Sequence, residues 1–372
     1  MNHIYYQTKT KYTNTGDALI NSALINELRK YGVLHANCGA EIPIEFLNAL
    51  GLHEDERELA TGEIFFVKAV VKQAIMSKRN GDRVFVFSGP GDLYGGGRRL
   101  VIRNLLSGLV FPIFRLCGVT IVRIGRSVGP ISRMMALSEW IRGLFLSYYY
   151  VRDTGTLERC HKIGIKKAKL CPDLSWIYHS DHLKRINKTN AVMVNMRTSI
   201  FDDIEEGFVE STFNKCRHVL AELNDSVDGG IKIYVAYQVA EDREFCKWIA
   251  EQLKQSYDVV FIDHQMQLHE LEKYYSKVDY HMSNRMHSLL VGYKYGSLPI
   301  ALIDTEKHTK IAATFCDCQM EKLMVDIHAP SGVCDLINKR ETLMHRLFDY
   351  EEQCQKRIQQ ILSCIFVTGI VQ

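Results

Sequence analysis

No run of eighteen uninterrupted apolar residues occurs in the chain, which is about the length a membrane-crossing helix needs. The nearest approach, residues 105–125, carries Arg115 and Arg123 inside it and is excluded as a span. Charge of one sign is lacking too. With 46 Lys and Arg against 43 Asp and Glu, a formal charge of +3 over 372 residues gives no field that would mark nucleic acid as a partner. The 11 cysteines never form a CxxC pair and are odd in number, so reduced thiols are expected rather than a disulfide framework or a zinc site. The first residues, Met1 to Lys9, lack a basic segment followed by an apolar one; no secretory signal is expected, and the expected location is cytoplasmic. Low-complexity tracts and short-period repeats are also missing. What is present is ordinary globular composition, 47% hydrophobic and 24% charged, at a length that suits two or three domains.

Short apolar, β-rich runs recur at 83–88, 119–124, 148–151, 191–196, 231–236, 258–262, 279–283 and 299–303, each followed by a helical pattern. Runs apolar on both faces and separated by helices predict parallel sheets covered on both sides. The polar stretch 179–189 divides them into two sets. The expected architecture is therefore α/β, with two doubly wound Rossmann-like domains: a first over 1–180, a second over 190–340, and a final amphipathic helix in 341–372 that packs back on the first. Ligands of such sheets bind beyond the carboxyl ends of the strands, so an interdomain cleft is the expected site.

Polar residues gather at those strand ends. Asn14-Thr15-Gly16-Asp17 opens a helix, where free backbone N–H groups suit a phosphate or carboxylate, while Asp17 as a plain helix cap is the other reading. Gly89-Pro90-Gly91-Asp92, with Gly95 to Gly97 and Arg98 after it, permits close backbone approach to a ligand, though such a loop is often only a turn. It is neither a Walker loop nor a full GxGxxG fingerprint. Ser127 and Gly129 follow one strand, Arg152-Asp153 another and Pro172-Asp173 a third, with the N-cap of the next helix a strong alternative for Asp153 and a plain turn the alternative for Asp173. Arg197 ends a strand of the second set, and its guanidinium fork suits a carboxylate or phosphate. The densest cluster is Ser283-Asn284-Arg285-Met286-His287, a strand running straight into a helix. His287 alone reads as a structural histidine; an arginine two residues away at a ligand edge favours a functional one.

In this order the pieces resemble the polysaccharide pyruvyl transferase family: Asn14-Gly16-Asp17, the glycine-rich loop at Gly89 to Gly91, Ser127 to Pro130, Arg152-Asp153, Pro172-Asp173, Arg197, Ser283-Arg285-His287 with Gly296 to Pro299, and Lys310. One departure is Pro90, where the family usually has a glycine. The resemblance covers about residues 14–325 and implies a GT-B-like pair of Rossmann-like domains, the first on the acceptor side and the second on the phosphoenolpyruvate side. It implies transfer of pyruvate from phosphoenolpyruvate, a co-substrate, onto two hydroxyls of a sugar as a ketal, in bacterial cell-surface polysaccharide biosynthesis. Neither metal nor cofactor is implied. Arg197, Arg285 and His287 are the implied catalytic set, with His287 as general acid and base. Asn14, Gly16, Asp17, Gly89, Gly91, Asp92, Ser127, Gly129, Arg152, Asp153, Asp173, Ser283 and Lys310 are the implied substrate-binding residues.

Two rivals stand beside this. A GT-B glycosyltransferase using a nucleotide sugar would need an acidic residue for ribose or donor sugar, for which Asp304 and Glu306 are available. A non-catalytic carbohydrate-binding scaffold would have no use for the full Arg197, Arg285 and His287 set. The expected acceptor is a sugar or a lipid-linked oligosaccharide. Arg98, Arg99, Arg103, Arg115, Arg133 and Arg142 are interleaved with apolar residues; they read as solvated faces of amphipathic helices or as a peripheral contact with the inner membrane face.

Overall fold

A strand buried on both faces must be covered by helices on both, and over most of the chain strands and helices alternate. The computed structural model describes residues 1–8, 10, 12–57, 63–179, 185–198, 207–330 and 332–367, with the backbone alone at Glu63, Ser107 and Lys310. Two compact units result: Met1–Tyr12, Asp17–Tyr178 and Cys354–Gln372 form unit 1, and Thr13–Gly16 with His179–Gln353 form unit 2.

Unit 1 holds strands β1 (Asn2–Gln7), β2 (Val33–Asn37), β3 (Arg83–Ser88), β4 (Gly91–Gly95), β5 (Thr120–Ile131), β6 (Tyr148–Val151) and β7 (Ala168–Leu170). Its helices are α1 (Thr15–Leu28), α2 (Ile44–Ala49), α3 (Glu63–Asn80), α4 (Arg98–Leu116), α5 (Arg133–Phe145) and α6 (Thr154–Lys162). The sheet runs β2-β1-β3-β5-β6-β7 with β4 beside β5, all parallel. One apolar cluster joins Phe66 and Val70 of α3, Val101 and Phe111 of α4 and Met135 of α5 to Val86, Ile121 and Tyr149 of the sheet, so these helices share a face.

Unit 2 holds β8 (Ala191–Asn195), β9 (Lys232–Tyr237), β10 (Asp258–Gln265), β11 (Tyr280–Ser283), β12 (Leu298–Ile303) and β13 (Met324–Asp326), in the all-parallel order β10-β9-β8-β11-β12-β13. Its helices are α7 (Phe208–Asp225), α8 (Arg243–Leu253), α9 (Leu271–Tyr275), α10 (Met286–Lys294), α11 (Thr309–Asp317) and α12 (Cys334–Asn338). A last helix, α13 (Arg340–Val367), begins in unit 2, and its residues from Cys354 on cluster with unit 1. There Phe366 stacks at 4.5 Å on Tyr31 and lies 4.6 Å from Phe85.

Both sheets reverse winding direction once: between β1 and β3 in unit 1, and between β8 and β11 in unit 2. At such a switch point the loops leave in opposite directions and a crevice opens beyond the strand ends. No helix among the described residues is long and apolar enough to cross a membrane.

Two local expectations differ. The glycine-rich stretch after Ser88 contains β4, which pairs Gly91 with Arg126 and Asp92 with Ser127. The segment from Gly125 to Pro130, read as leaving its strand, continues it, because β4 and β6 supply partners to both sides.

Candidate functional site

Unit 2 gathers its cations where its sheet reverses. β8 leads into Arg197, and β11 leads through Ser283 and Asn284 into Arg285. The Asn284 side chain joins the two ends: its Oδ1 accepts the Arg197 N–H at 2.8 Å, and its Nδ2 donates to the Arg197 carbonyl at 3.0 Å. Ser283 is spent on the same junction, donating to the Asn195 carbonyl at 2.6 Å and accepting the Arg285 N–H at 3.0 Å. It is a buried brace rather than a ligand-facing hydroxyl.

The Arg285 guanidinium is held by a residue the sequence pattern does not single out. Nη2 donates to Oδ1 of Asp242 at 2.6 Å and Nε donates to Oδ2, a bidentate pair that fixes the plane of the fork. Asp242 is buried, ending the short turn Ala240–Asp242 after β9. Burial pushes its carboxyl above the usual range, with Arg285 and then Arg197 opposing that shift. Both arginines therefore act on one carboxylate. The available signal was the acidic residue itself, five positions past a strand on the edge where ligands bind.

His287 lies in the first turn of α10, half-buried. Against it rests Gly16, where a Cβ would stand 2.6 Å from the Cβ of His287 and 2.8 Å from its Nδ1. The segment carrying Gly16 is fastened to unit 2 by several bonds. Asn14 bridges to Val239, Thr15 Oγ1 donates to the Met266 carbonyl at 2.7 Å, and Gln265 Nε2 donates to the Thr13 carbonyl at 2.7 Å. The Asn14 side chain accepts the Gly16 N–H at 2.9 Å. Asn14 and Gly16 thus belong with Arg197, Arg285 and His287. Lys310 lies in the first turn of α11, and its side chain is outside the described residues.

Unit 1 assembles a second polar group at its own strand ends. Arg152, buried, donates to Asp92 at 2.7 Å and to Asp173 at 3.4 Å, and these carboxylates more than offset the burial that would discharge it. Asp173 also accepts the Ser175 N–H at 2.9 Å, and Asp153 caps α6 by accepting the Thr156 N–H at 2.6 Å and the Ser127 hydroxyl at 3.2 Å. For Asp153 the capping reading is the one the geometry displays; Asp92 alone of the three is substantially exposed, at 39% of its side chain. Gly129 packs so closely on Tyr94 that a Cβ would overlap its ring. Asp17 accepts the Thr10 hydroxyl at 2.7 Å, and Gly89 donates its N–H to the Gln7 carbonyl at 3.3 Å, where a Cβ would stand 2.9 Å from Asn21 Oδ1. Gly91, at φ +145°, leaves space where a Cβ would stand 3.5 Å from Arg126 Nη1. Arg126 is the residue of this edge that sequence reasoning passed over, and its buried Nε has no partner among the described residues.

Comparison with known proteins places this geometry. The family model described as polysaccharide pyruvyl transferase matches residues 14–296. No curated protein matches the chain in sequence. Solved structures of similar fold include the trehalose-6-phosphate synthase OtsA (TM-score 0.55, 8% identity, covering 100% of this chain and 99% of that one). A UDP-N-acetylglucosamine 2-epimerase (0.53, 10%, 98% and 95%) and S. aureus MnaA in its co-structure with UDP (0.50, 10%, 99% and 97%) are similar too. At such identities they establish the fold, two parallel-sheet α/β units of the GT-B class, and no more.

Proposed function

The chain belongs to the polysaccharide pyruvyl transferase family, and from that premise we propose that it moves pyruvate from phosphoenolpyruvate onto two hydroxyls of one sugar, as a cyclic ketal, in building a cell-surface polysaccharide. The observation that carries the reading is the grouping in unit 2 of Arg197, Arg285 and His287, with both arginines acting on the buried Asp242. Phosphoenolpyruvate bears a carboxylate and a phosphate ester on the same carbon, so two neighbouring cations match it and stabilise the charge that develops as phosphate departs. Lys310 is a third cation for the same task.

The chemistry assigned to His287 is proton transfer. Its imidazolium gives a proton to the enol methylene, making the methyl group, while the first sugar hydroxyl adds to the neighbouring carbon and returns a proton to the imidazole. Phosphate then leaves with the electrons of its bond to that carbon. The second hydroxyl closes on the carbon, and its proton goes to the phosphate. Phosphoenolpyruvate and a diol thereby give a ketal and inorganic phosphate, with nothing oxidised or reduced.

Unit 1 is the side we assign to the acceptor, a sugar or lipid-linked oligosaccharide, with Asp92 as the carboxylate exposed enough to meet a hydroxyl and Arg152 and Asp173 holding it in place. The protein works in the cytoplasm, at the inner face of the membrane. Phosphate release from phosphoenolpyruvate that depends on added acceptor tests the reading. His287→Asn is expected to lower kcat by about 10²–10⁴-fold, and Arg285→Lys to raise the KM for phosphoenolpyruvate.

Glycosyl transfer from a nucleotide sugar is the second reading, favoured by the fold shared with a UDP-bound structure. It would call on Asp304, which already accepts the backbone N–H groups of Glu306 and Lys307 at 3.1 Å each.

A further inference from the structure

The outer surface of α4 and α5 is apolar where it should meet water. On α4 the residues Ile102, Leu106, Leu109, Ile113 and Leu116 are 48–83% exposed, at spacings of four, three, four and three, so they line one stripe along about 21 Å of helix. A second stripe, Met134, Leu137, Trp140 and Leu144, runs along α5 at 37–59% exposure. The two helices lie side by side and point the same way. Asn104 bonds Ser138 at 2.8 Å, a Cβ on Gly108 would meet Arg142, and Arg115 bonds Ser147 at 2.8 Å. The stripes therefore form one continuous patch, of a kind that soluble surfaces seldom carry without a partner.

The charge around the patch has one sign. Arg98, Arg99, Arg103, Arg115 and Arg133 are exposed on these helices, whose one acidic residue, Glu139, is fully buried with Arg123. Arg142 is buried against Asn104 and has no part in this surface. Beside α4, α3 continues the character with exposed Ile64 and Phe65 next to Lys68 and Lys72.

We propose that the α4–α5 face is a docking surface for anionic lipid, lying flat in the headgroup layer with its leucines and isoleucines in the acyl boundary and its arginines on lipid phosphates. A second copy of the chain fits worse, because a two-fold pairing of this face would set arginines against arginines. The face stands on its own geometry; its purpose, bringing unit 1 to a lipid-carried acceptor, rests on the function proposed above.

Sedimentation with vesicles tests it. The full chain is expected to pellet with vesicles of about one-third phosphatidylglycerol and far less with pure phosphatidylcholine. Leu106→Glu with Leu109→Glu, and separately Arg99→Glu with Arg103→Glu, are each expected to weaken binding at least tenfold. Wild-type protein that ignores anionic vesicles, variants that bind as well as wild type, or a lipid-free dimer abolished by the leucine changes would overturn the proposal. An unchanged melting temperature shows that the variants are folded. Stabilisation by phosphoenolpyruvate, measured on the same samples, reports the unit 2 site separately, so loss of the lipid face and failure of the enzyme reading are told apart.

Discussion

Gly16 and His287 touch: a Cβ on the glycine would stand 2.6 Å from the Cβ of the histidine, a distance no pair of side chains tolerates. They are 271 positions apart in sequence, and the bonds of Asn14, Thr15 and Thr13 to the strand ends of unit 2 hold the glycine there. A residue at 16 without a side chain is thus a condition for the position of the imidazole. Gly16→Ala is expected to displace His287, cost about 1–3 kcal/mol of stability and lower kcat more than it raises the KM for phosphoenolpyruvate. Steady-state kinetics with a melting curve check both parts.

Asp242 holds the Arg285 fork by two bonds, and an amide cannot repeat that pairing. Asp242→Asn is expected to raise the KM for phosphoenolpyruvate by about 10–100-fold, the scale of a lost charge-assisted pair. Asp242→Glu is expected to recover part of it. Unchanged KM in both variants would remove Asp242 from the account.

The two-sheet architecture was legible because strands such as 83–88, 191–196 and 299–303 are apolar on both faces, a pattern that depends on burial alone. β1 and β2 are harder to read, because their runs mix in His3, Gln7, His35 and Asn37, polar residues whose burial shows only in the fold, as in the stack of Tyr5 on His35 at 4.8 Å. Arg285 and His287 were visible as polar residues at a strand end. Asp242 was not, because its importance lies in a partner 43 positions away. The contact of Gly16 with His287 has no local signature at all. Exposure of the α4 stripe is similar: spacing identifies an amphipathic helix, and only the packed structure shows which stripe faces outward.

Arg126 is a half-buried cation of the unit 1 edge. Burial, reinforced by Arg123 nearby, lowers its guanidinium pKa to about 10, and its Nε is unpaired among the described residues. Replacing a half-buried cation whose Nε is unpartnered with an apolar side chain of similar length is often neutral or stabilising. Arg126→Met is therefore expected to hold or raise the melting temperature, and a clear fall in calorimetry would contradict this.

His281 is one group through which unit 2 loses stability in acid. It is fully buried, edge-on to Tyr275 at 5.0 Å, with Nε2 3.1 Å from the Ser288 hydroxyl, and burial lowers its pKa from 6.5 to about 3. Its stabilising contribution is complete above pH 6.5. As pH falls from 6.5 towards 3 the unfolded chain takes up a proton that the folded one does not, and stability drops by about 1.4 kcal/mol per unit from this group. Compared with wild type, His281→Gln is expected to lose stability less steeply across that window in denaturant titrations; parallel losses would contradict the assignment.

The central claim, that unit 2 receives phosphoenolpyruvate on Arg197 and Arg285, is tested most directly by thermal stabilisation of the purified chain, since a ligand that binds only the folded state raises its melting temperature. The account predicts a shift with phosphoenolpyruvate that grows with concentration, is lost in Arg285→Ala and is absent with UDP. Stabilisation by UDP and none by phosphoenolpyruvate would contradict it and favour glycosyl transfer.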